Sequence, residues 1–284
     1  MAETTSVIAD AYLAADTAAR DADVTMRILD RVQDFSQVVE LLQHIWKGDV
    51  SRPPVNVETL RAVSKAGSYV GGAFRGDEMV GACFGFFGPP ERRSLHSHIA
   101  GVRAGSRGRN VGFAIKTHQR AWALEHHIDE ISWTFDPLIS RNAYFNLVKL
   151  GATASEYLEN FYGQMSDDLN GSDDTDRLLV TWKLWDPQVA AASRGDYVSG
   201  TAAGIPALLR PDDSFAPQRE HSDAQLVAIG LPRDIETIRR ENPTVATAWR
   251  LALRETLGAA LAGGGTVIGF DRDGNYIVNR GKTQ

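Results

Sequence analysis

The chain is short of the features that define several large protein classes. Its one cysteine, Cys83, excludes an intramolecular disulfide framework and is typical of a reducing cytosol, so a cytoplasmic location is expected. It has no apolar run of about 18 residues, so no membrane span is expected. Only 30 Lys and Arg stand against 36 Asp and Glu, and the net charge of −6 gives no general support for nucleic-acid binding.

Several functional motifs are missing as well. The first residues lack a basic start and a long apolar segment, so they are not typical of a secretory signal. No spacing of His, Cys and carboxylate residues indicates a metal site. There is no G-x-S-x-G motif to support serine hydrolase chemistry. The remaining composition, 43% hydrophobic and 23% charged, is that of a globular protein with one large or two small cores.

The pattern of the chain divides it into four segments. Residues 1–23 are rich in alanine and predict a loosely attached leading helix. Residues 24–185 alternate between strand-like and helical patterns and form the main domain. Residues 186–224, rich in Pro, Gly, Ser and Asp, predict an irregular linker. Residues 225–284 predict a small C-terminal α+β subdomain, in which an Asn-Pro pair begins a helix and a hairpin follows.

Within the main domain the elements follow the order strand, two helices, three strands, helix, strand, helix, strand. The predicted strands cover 24–30, 68–74, 78–88, 94–102, 129–137 and 177–185. The predicted helices cover 34–46, 57–67, 111–126 and 140–152.

The segment SRGRNVGFAIK, residues 106–116, leads from a predicted strand into a predicted helix. Unpaired N–H groups at a helix start, together with the positive end of the helix dipole, suit a pyrophosphate. A glycine lets the backbone approach a phosphate closely, because it has no side chain. The same string also fits a solvated basic turn before a surface helix, so the loop alone leaves both interpretations open.

The element order around this loop resembles the GNAT superfamily of acyl-CoA-dependent N-acyltransferases. The family signature, Q/R-x-x-G-x-G/A, corresponds here to RGRNVG, in which Asn110 replaces the first signature glycine. Asparagine tolerates left-handed backbone well, so the loop is expected to keep its shape. The resemblance implies a mixed α+β fold with a central, mostly antiparallel sheet flanked by helices. It implies CoA contacts at Arg103, Arg107, Gly108, Arg109, Asn110, Val111 and Gly112, and at the backbone of Ala100 and Val102.

A longer resemblance runs through WTFDPLISRNAYFNLVKLGA, YLENFYGQM and DRLLVTWKL to WRLALRETLGAALAGG. It is similar to a bacterial GNAT group that includes succinyl-CoA:D-amino acid N-succinyltransferases. This implies acetyl-CoA or succinyl-CoA as co-substrate, no metal, and a small amine or amino acid, for instance a D-amino acid, as acceptor. Asn142, Phe145 and Asn146 match the motif of this group, which implies contacts with the pantetheine or adenine arm of CoA. Helix capping is the alternative role of an asparagine here.

The resemblance implies direct attack of an amine on the thioester, with a base for the proton of the amine and an acid for the leaving thiolate. In one branch of the family the base lies eleven residues before the first signature residue, which is His96 here. His98 follows two residues later on the same strand face. A histidine with a pKa of about 6.5 can accept a proton. The alternative is that both histidines are structural.

The general acid is not carried over from the family. Its usual tyrosine position is Leu147 here, which has no proton to donate, and Tyr144 lies almost one turn earlier as the nearest candidate. Asp136 ends its predicted strand and has two interpretations: an alternative base or ammonium anchor, or a carboxylate that fixes the turn before Pro137.

Two residues are candidates for substrate contact. A succinyl carboxylate requires an arginine or lysine in the cleft, and Arg141 is the candidate. Trp133 either contacts substrate or packs in the core. Expected partners are a small amine or amino acid, with no nucleic acid and no membrane. The C-terminal subdomain either completes the acceptor pocket or forms a homodimer interface. A non-catalytic acyl-CoA-binding module and a protein lysine acetyltransferase are the alternative functions.

Overall fold

The structure is a computed structural model that describes residues 2–46, 53–106, 108–163 and 173–281. The chain divides into two units. The first contains Met1–Trp133 and Trp182–Asp196, and the second contains Thr134–Thr181 and Tyr197–Gln284. These boundaries differ from those of the four predicted segments because the chain passes between the units three times, twice within a strand.

The elements have the following bounds in the described residues. The helices are α1 (Ala2–Asp21), α2 (Val32–Trp46), α3 (Val57–Lys65), α4 (Val111–Glu125), α5 (Ser140–Ala143), α6 (Pro187–Ser193), α7 (Ile235–Glu241), α8 (Pro243–Leu253) and α9 (Ala259–Ala262). The strands are β1 (Thr25–Ile28), β2 (Val70–Arg75), β3 (Glu78–Phe87), β4 (Ser94–Val102), β5 (Glu130–Phe135), β6 (Thr153–Leu158), β7 (Arg177–Lys183), β8 (Ala207–Pro211), β9 (Pro217–Arg219), β10 (Leu226–Gly230), β11 (Thr266–Phe270) and β12 (Asn275–Asn279). A π-helical segment, Tyr144–Lys149, continues α5, and another, Arg254–Gly258, joins α8 to α9.

The first unit is built on a sheet with the order β1-β2-β3-β4-β5. Its first four strands are antiparallel, and β4 and β5 are parallel. β2 and β3 are almost wholly buried, as their continuous runs of small and apolar residues predict. A tight hairpin turn joins them, since Arg75 pairs with Glu78 and Gly76 has a φ of +59°.

Helices cover the sheet of the first unit with apolar faces. Phe35, Leu41 and Leu42 of α2 and Leu60 of α3 are buried in one core with Phe84 of β3. These residues follow the helical periodicity of the sequence, so the core on this side was predictable.

The leading helix α1 is packed and not loosely attached, so that prediction is wrong. A stripe of its small side chains is buried: Ala11, Ala14, Ala15 and Ala18. The hydroxyl of Tyr12 also donates to the carboxylate of Glu125 in α4. Small residues allow two helices to approach closely, and a long helix with an alanine face is therefore a packing element here.

The second unit contains the antiparallel pair β6 and β7 and a five-stranded sheet with the order β11-β12-β10-β8-β9. β8 and β10 are parallel, and the other pairs of this sheet are antiparallel. The side chain of Asn242 accepts from the N–H of Val245 at 3.3 Å, and Pro243 is the first residue of α8. The predicted cap and helix start are thus confirmed.

The predicted irregular linker at 186–224 is wrong, because α6, β8 and β9 lie within it. Its Asp residues cap and turn these elements instead of loosening the chain. Asp186 accepts from the N–H of Gln188 at the start of α6, and Asp212 accepts from Ser214 and Ala216 between β8 and β9. β6 and α7 are further elements that the pattern of the sequence did not reveal.

The fold class is mixed α+β, with a large mixed sheet flanked by helices, as predicted. Within the described ranges, no helix combines the length and the apolar character that a bilayer crossing requires.

Candidate active site

Strands β4 and β5 pair over only three residues and then separate. Their parallel register runs from Ser94 opposite Glu130 to His96 opposite Ser132, whereas β4 continues to Val102. The N–H of Arg103 donates to Val80 in β3 at 2.9 Å. Because the backbone groups of a strand alternate between its two edges, those of Val102 and Ala100 face the edge away from β3. A gap with an available strand edge therefore begins beyond the last pair.

A β-bulge shapes β4 at the same place. Phe84 of β3 pairs with Ile99 and Gly85 pairs with Ser97, so His98 is an extra residue in β4. A Cβ at Gly85 would lie 2.6 Å from the carbonyl oxygen of His96, so this close approach requires glycine. The bulge thus lies in the stretch of β4 that carries His96 and His98, next to the gap.

The two histidines lie on one face of β4, as predicted. Their ring centroids are 6.1 Å apart, and those of His96 and His98 lie 5.3 and 5.8 Å from that of Phe86. His96 is half-buried, and a hydrogen bond of 3.3 Å joins its Nδ1 to the hydroxyl of Ser132. Burial lowers the pKa of His96 below its usual value, and the charges of His98 and Lys116 add to this effect. The imidazole is therefore neutral at neutral pH.

His98 is exposed and borders a cavity of about 430 Å³ on the first unit. Burial also lowers the pKa of His98. The cavity is lined by Pro53, Pro54, Val55, Asn56, Thr59, Val63, Phe84, Phe86 and His98. The lining is mainly apolar, which is typical of a small-molecule pocket. The sequence did not reveal it, because its walls come from three separate segments and have no shared motif.

The loop after β4 contains two residues with left-handed backbone. Gly108 has a φ of +79° and Asn110 has φ and ψ of +58° and +14°. Asn110 is the N-cap of α4, and its carbonyl oxygen accepts from the N–H of Phe113 at 2.9 Å. The N–H groups of Val111 and Gly112 precede this first helical bond. Asn110 thus adopts the left-handed backbone that asparagine tolerates.

Two of the three predicted loop arginines lie in the described residues, and Arg107 lies outside them. Arg103 forms an ion pair with Glu78 at 3.2 Å, and its buried Nε has no hydrogen-bond partner in the part of the chain that the structure describes. Arg109 is exposed between Gly108 and Asn110. The loop therefore carries positive charge beside the start of α4, as an anion site requires.

A cluster of four buried polar side chains lies between β3, β4 and α4: Cys83, Ser97, Lys116 and Gln119. The ammonium of Lys116 donates to Gln119 Oε1 at 2.7 Å and to Ser97 Oγ at 3.3 Å. The Sγ of Cys83 lies 3.4 Å from both Ser97 Oγ and Gln119 Nε2. The pattern of the sequence did not reveal this cluster. Its signal was the run of polar residues KTHQR, 116–120, inside a helix with apolar periodicity.

Asp136 is neither a base nor an anchor for an ammonium group, so that hypothesis is corrected. Its carboxylate is buried and accepts from Arg250 at 2.9 and 3.1 Å and from Arg239 at 2.6 Å. It also accepts from the N–H of Leu138 at 3.0 Å. Burial alone would raise the pKa of Asp136, but the charges of Arg250 and Arg239 outweigh it and hold the pKa well below the usual range. The structural interpretation of Asp136 is the correct one.

The two predicted substrate residues are also engaged within the protein. The guanidinium of Arg141 donates to both carboxylate oxygens of Glu236 and its side chain is 57% exposed, so its contact with a succinyl carboxylate stays a prediction. Trp133 is buried, and its ring contacts Trp182 edge to face with centroids 5.8 Å apart. Trp133 is therefore a packing residue and not a contact for substrate.

The segment that contains Tyr144 lies in the second unit. Its N-cap is Ile139, so Asn142 does not cap the helix. Tyr144 raises the pKa of the neighbouring Arg272 guanidinium. Phe145 is half-buried and Asn146 is buried in the π-helical segment. Such segments often mark functional sites, and the roles of these residues stay predictions.

The first unit thus brings together His96, His98, Ala100, Val102, Arg103 and residues 108–112, while Asp136 and residues 141–146 lie in the second unit. No group of three or more His, Cys, Asp or Glu residues in the described ranges could hold a metal ion.

No protein-family profile matches the chain, and no curated protein matches it. Several solved structures are similar to it at low identity. An N-acetyltransferase from Staphylococcus aureus Mu50 is 9% identical, with a TM-score of 0.46 over 57% of this chain and 98% of that one. A ribosomal-protein-alanine N-acetyltransferase from Brucella melitensis is 16% identical, with a TM-score of 0.47 over 56% and 99%. The protein yncA from Salmonella typhimurium, solved with its cofactor acetyl-CoA, is 13% identical, with a TM-score of 0.46 over 58% and 95%. These likenesses assign no function to the chain.

Proposed function

We propose that the chain is an acyl-CoA-dependent N-acyltransferase that transfers an acyl group to the amine of a small molecule. The observation that carries the proposal is the end of β4–β5 pairing at His96 and Ser132, which opens a strand edge that leads to the loop before α4. Amide groups of an extended ligand can pair with a strand edge as a peptide strand does. A helix start suits the pyrophosphate of the same ligand.

The residues of the first unit fit coenzyme A. The backbone of Ala100 and Val102 faces the gap, where it can pair with the amides of a pantetheine arm. Apart from its two chain neighbours, no described residue comes within 4 Å of the position of a Cβ at Gly108, so the space beside this residue is open. Arg103, whose buried Nε has no partner within the described residues, and Arg109 supply positive charge. Arg107 is expected to add to it.

The thioester of bound acyl-CoA supplies an activated carbonyl carbon. The pKa of His96 is lowered, which favours the neutral imidazole, and in the tautomer whose Nδ1–H donates to Ser132 the Nε2 holds the lone pair. The nitrogen of the acceptor amine bonds to the carbonyl carbon as the bond from carbon to sulfur breaks. The proton of the amine passes to His96, and the sulfur leaves with the electron pair. His98 lies beside His96 and borders the acceptor cavity.

The mainly apolar cavity beside His98 favours an acceptor with an apolar side chain, and a small amino acid or amine fits its volume of about 430 Å³. Acetyl-CoA and succinyl-CoA are the acyl donors to test, and a D-amino acid is the specific acceptor that the group resemblance suggests. Since Arg141 pairs with Glu236 at the surface, a succinyl carboxylate would compete with Glu236 for this guanidinium.

The experiment measures free thiol from acetyl-CoA or succinyl-CoA with the purified chain and a panel of L- and D-amino acids and simple amines. Thiol release that depends on the amine supports the proposal. Substitution of His96→Ala is expected to lower kcat by about 100-fold or more. His221→Ala is the matched control, because His221 is exposed and its side chain pairs only with Asp223 among the described residues.

The other outcomes identify the alternatives. Tight CoA binding without amine-dependent thiol would point to a binding module, which the presence of Leu147 at the tyrosine position favours. Activity only on peptide lysine would point to a protein lysine acetyltransferase. Full activity of His96→Ala between about pH 6 and 9 would remove His96 as the base.

A further inference from the structure

Lys116 is a buried cation on α4. Its side chain is among the buried polar groups of the first unit, with a residue exposure of 4%. Besides its bonds to Gln119 and Ser97, its ammonium lies 3.8 Å from the centroid of the Trp133 ring and 5.4 Å from that of Trp182. Aromatic faces attract a cation, so these rings partly replace the water that burial removes.

The place of this ammonium in the sheet is specific. Ser97 of β4 and Trp133 of β5 are the first residues beyond the pair His96–Ser132. Lys116 contacts both of them, so its charge lies where the two strands begin to separate. Because side chains alternate along a strand, Ser97 points to the α4 side of β4, while His96 points to the opposite side.

No carboxylate neutralises this charge: none of the ion pairs between described residues includes Lys116. Cys83 of β3 is the titratable group beside it, His96 interacts with its charge from the opposite side of β4, and β5 and β7 present Trp133 and Trp182. Burial lowers the pKa of Lys116 to about 8, so the ammonium is mostly charged at pH 7. A buried charge without a counter-ion is costly, and such groups are concentrated at functional sites.

We propose that Lys116 assists acyl transfer electrostatically. Its charge at the opening between β4 and β5 stabilises the negative charge that develops on the thioester oxygen and sulfur. The inference rests on the proposed function. The sulfur leaves as a thiolate that keeps the electron pair, the proton of the amine stays on His96, and Lys116 exchanges no proton. The fixed charge thus stabilises the leaving thiolate, which a general acid would otherwise protonate and which Leu147 cannot protonate.

The test compares Lys116→Met, which removes the charge and nearly keeps the shape, with Lys116→Arg, which keeps the charge. Lys183→Met is the control, because Lys183 is an exposed lysine of the same unit. At about pH 7, Lys116→Met is expected to lower kcat by about 10- to 100-fold with little change in the KM for acyl-CoA. The wild-type rate is expected to fall above about pH 8, and this basic limb should vanish in Lys116→Met and move upward in Lys116→Arg.

A second measurement needs no turnover: the ultraviolet absorbance of the thiolate of bound CoA as a function of pH, with desulfo-CoA as the blank. Bound CoA should form its thiolate at a lower pH in the wild type and Lys183→Met than in Lys116→Met, by about one pH unit for a tenfold effect. A folded, CoA-binding Lys116→Met with an unchanged thiolate titration and pH profile would overturn the inference. Wild-type protein without any amine-dependent thiol release would instead contradict the proposed function. The thiolate titration would still show whether Lys116 lowers the pKa of the thiol of bound CoA.

Discussion

Arg250 donates to both carboxylate oxygens of Asp136, at 2.9 and 3.1 Å, and both side chains are buried in the second unit. Arg239 donates to the same carboxylate, and Asp173 accepts from both arginines. Two positive and two negative groups thus neutralise one another in the interior. Removing one member leaves a buried charge uncompensated, which costs far more than an exposed ion pair contributes.

The first prediction follows from this cluster. Asp136→Asn should lower the free energy of unfolding by about 3–5 kcal/mol, because Arg250 and Arg239 then share one carboxylate. Urea denaturation measures the change. Asp213→Asn is the matched control, since Asp213 is exposed in the same unit, and it should change the free energy by less than about 0.5 kcal/mol. An unchanged midpoint for Asp136→Asn would show that the cluster does not stabilise the fold.

The second prediction concerns pH. The native pKa of Asp136 lies below its unfolded value of about 3.9, so its contribution to stability is complete above the unfolded pKa and is lost as the pH falls through the native pKa. Burial would raise the pKa of Asp176 too, but its hydrogen bonds from Arg254, Asn160 and Tyr157 lower it. Stability measured by urea denaturation should therefore fall steeply below about pH 4. In Asp136→Asn this fall should be shallower. An equal slope would show that Asp136 does not contribute to the loss of stability in acid.

The third prediction tests the packing of α1. Ala15→Asp should lower the free energy of unfolding by about 2–4 kcal/mol, because it places a carboxylate in a buried helix contact. Thr17→Asp places the same group on the exposed face of α1 and should have little effect. Thermal denaturation of the two variants measures the difference. Equal melting temperatures of the two variants would support a loosely attached α1.

The fourth prediction concerns the left-handed residue before α4. Asn110→Gly should leave CoA binding equal or tighter, since glycine adopts a φ of +58° without strain. Asn110→Ala should cost about 1 kcal/mol of stability and weaken binding, because a Cβ disfavours this conformation. Calorimetric titration with CoA distinguishes the two. A severe loss in Asn110→Gly would show that the asparagine side chain has a role of its own.

The fifth prediction uses the single cysteine. Burial raises the pKa of Cys83, so little thiolate is present at neutral pH and reagents reach it only when the structure opens. Labelling of the native protein should be about 100-fold or more slower than in urea. Rapid labelling without denaturant would contradict the burial of Cys83. Lys116→Met offers a comparison, since the charge of Lys116 partly opposes the effect of burial on this thiol.

Much of the first unit was predictable because its signals are local. The strands β2, β3 and β4 and the helices α2 to α4 follow from periodicity, and the cap at Asn242 in the second unit follows from its side chain and the proline after it. The left-handed conformation at Asn110 followed from the tolerance of asparagine for positive φ. Composition misled at 186–224, where Asp and Pro residues serve as caps and turns of short elements.

The candidate site was predictable only in part. The sequence by itself determined which residues β4 and the loop before α4 carry, because their order along one strand and one turn is local. Only the tertiary structure decided that β4 separates from β5 after His96, that Lys116 lies between Ser97 and Trp133, and that Asp136 belongs to two arginines. These relationships join residues far apart in the chain, and whether a charged side chain is paired depends on neighbours that no local pattern specifies.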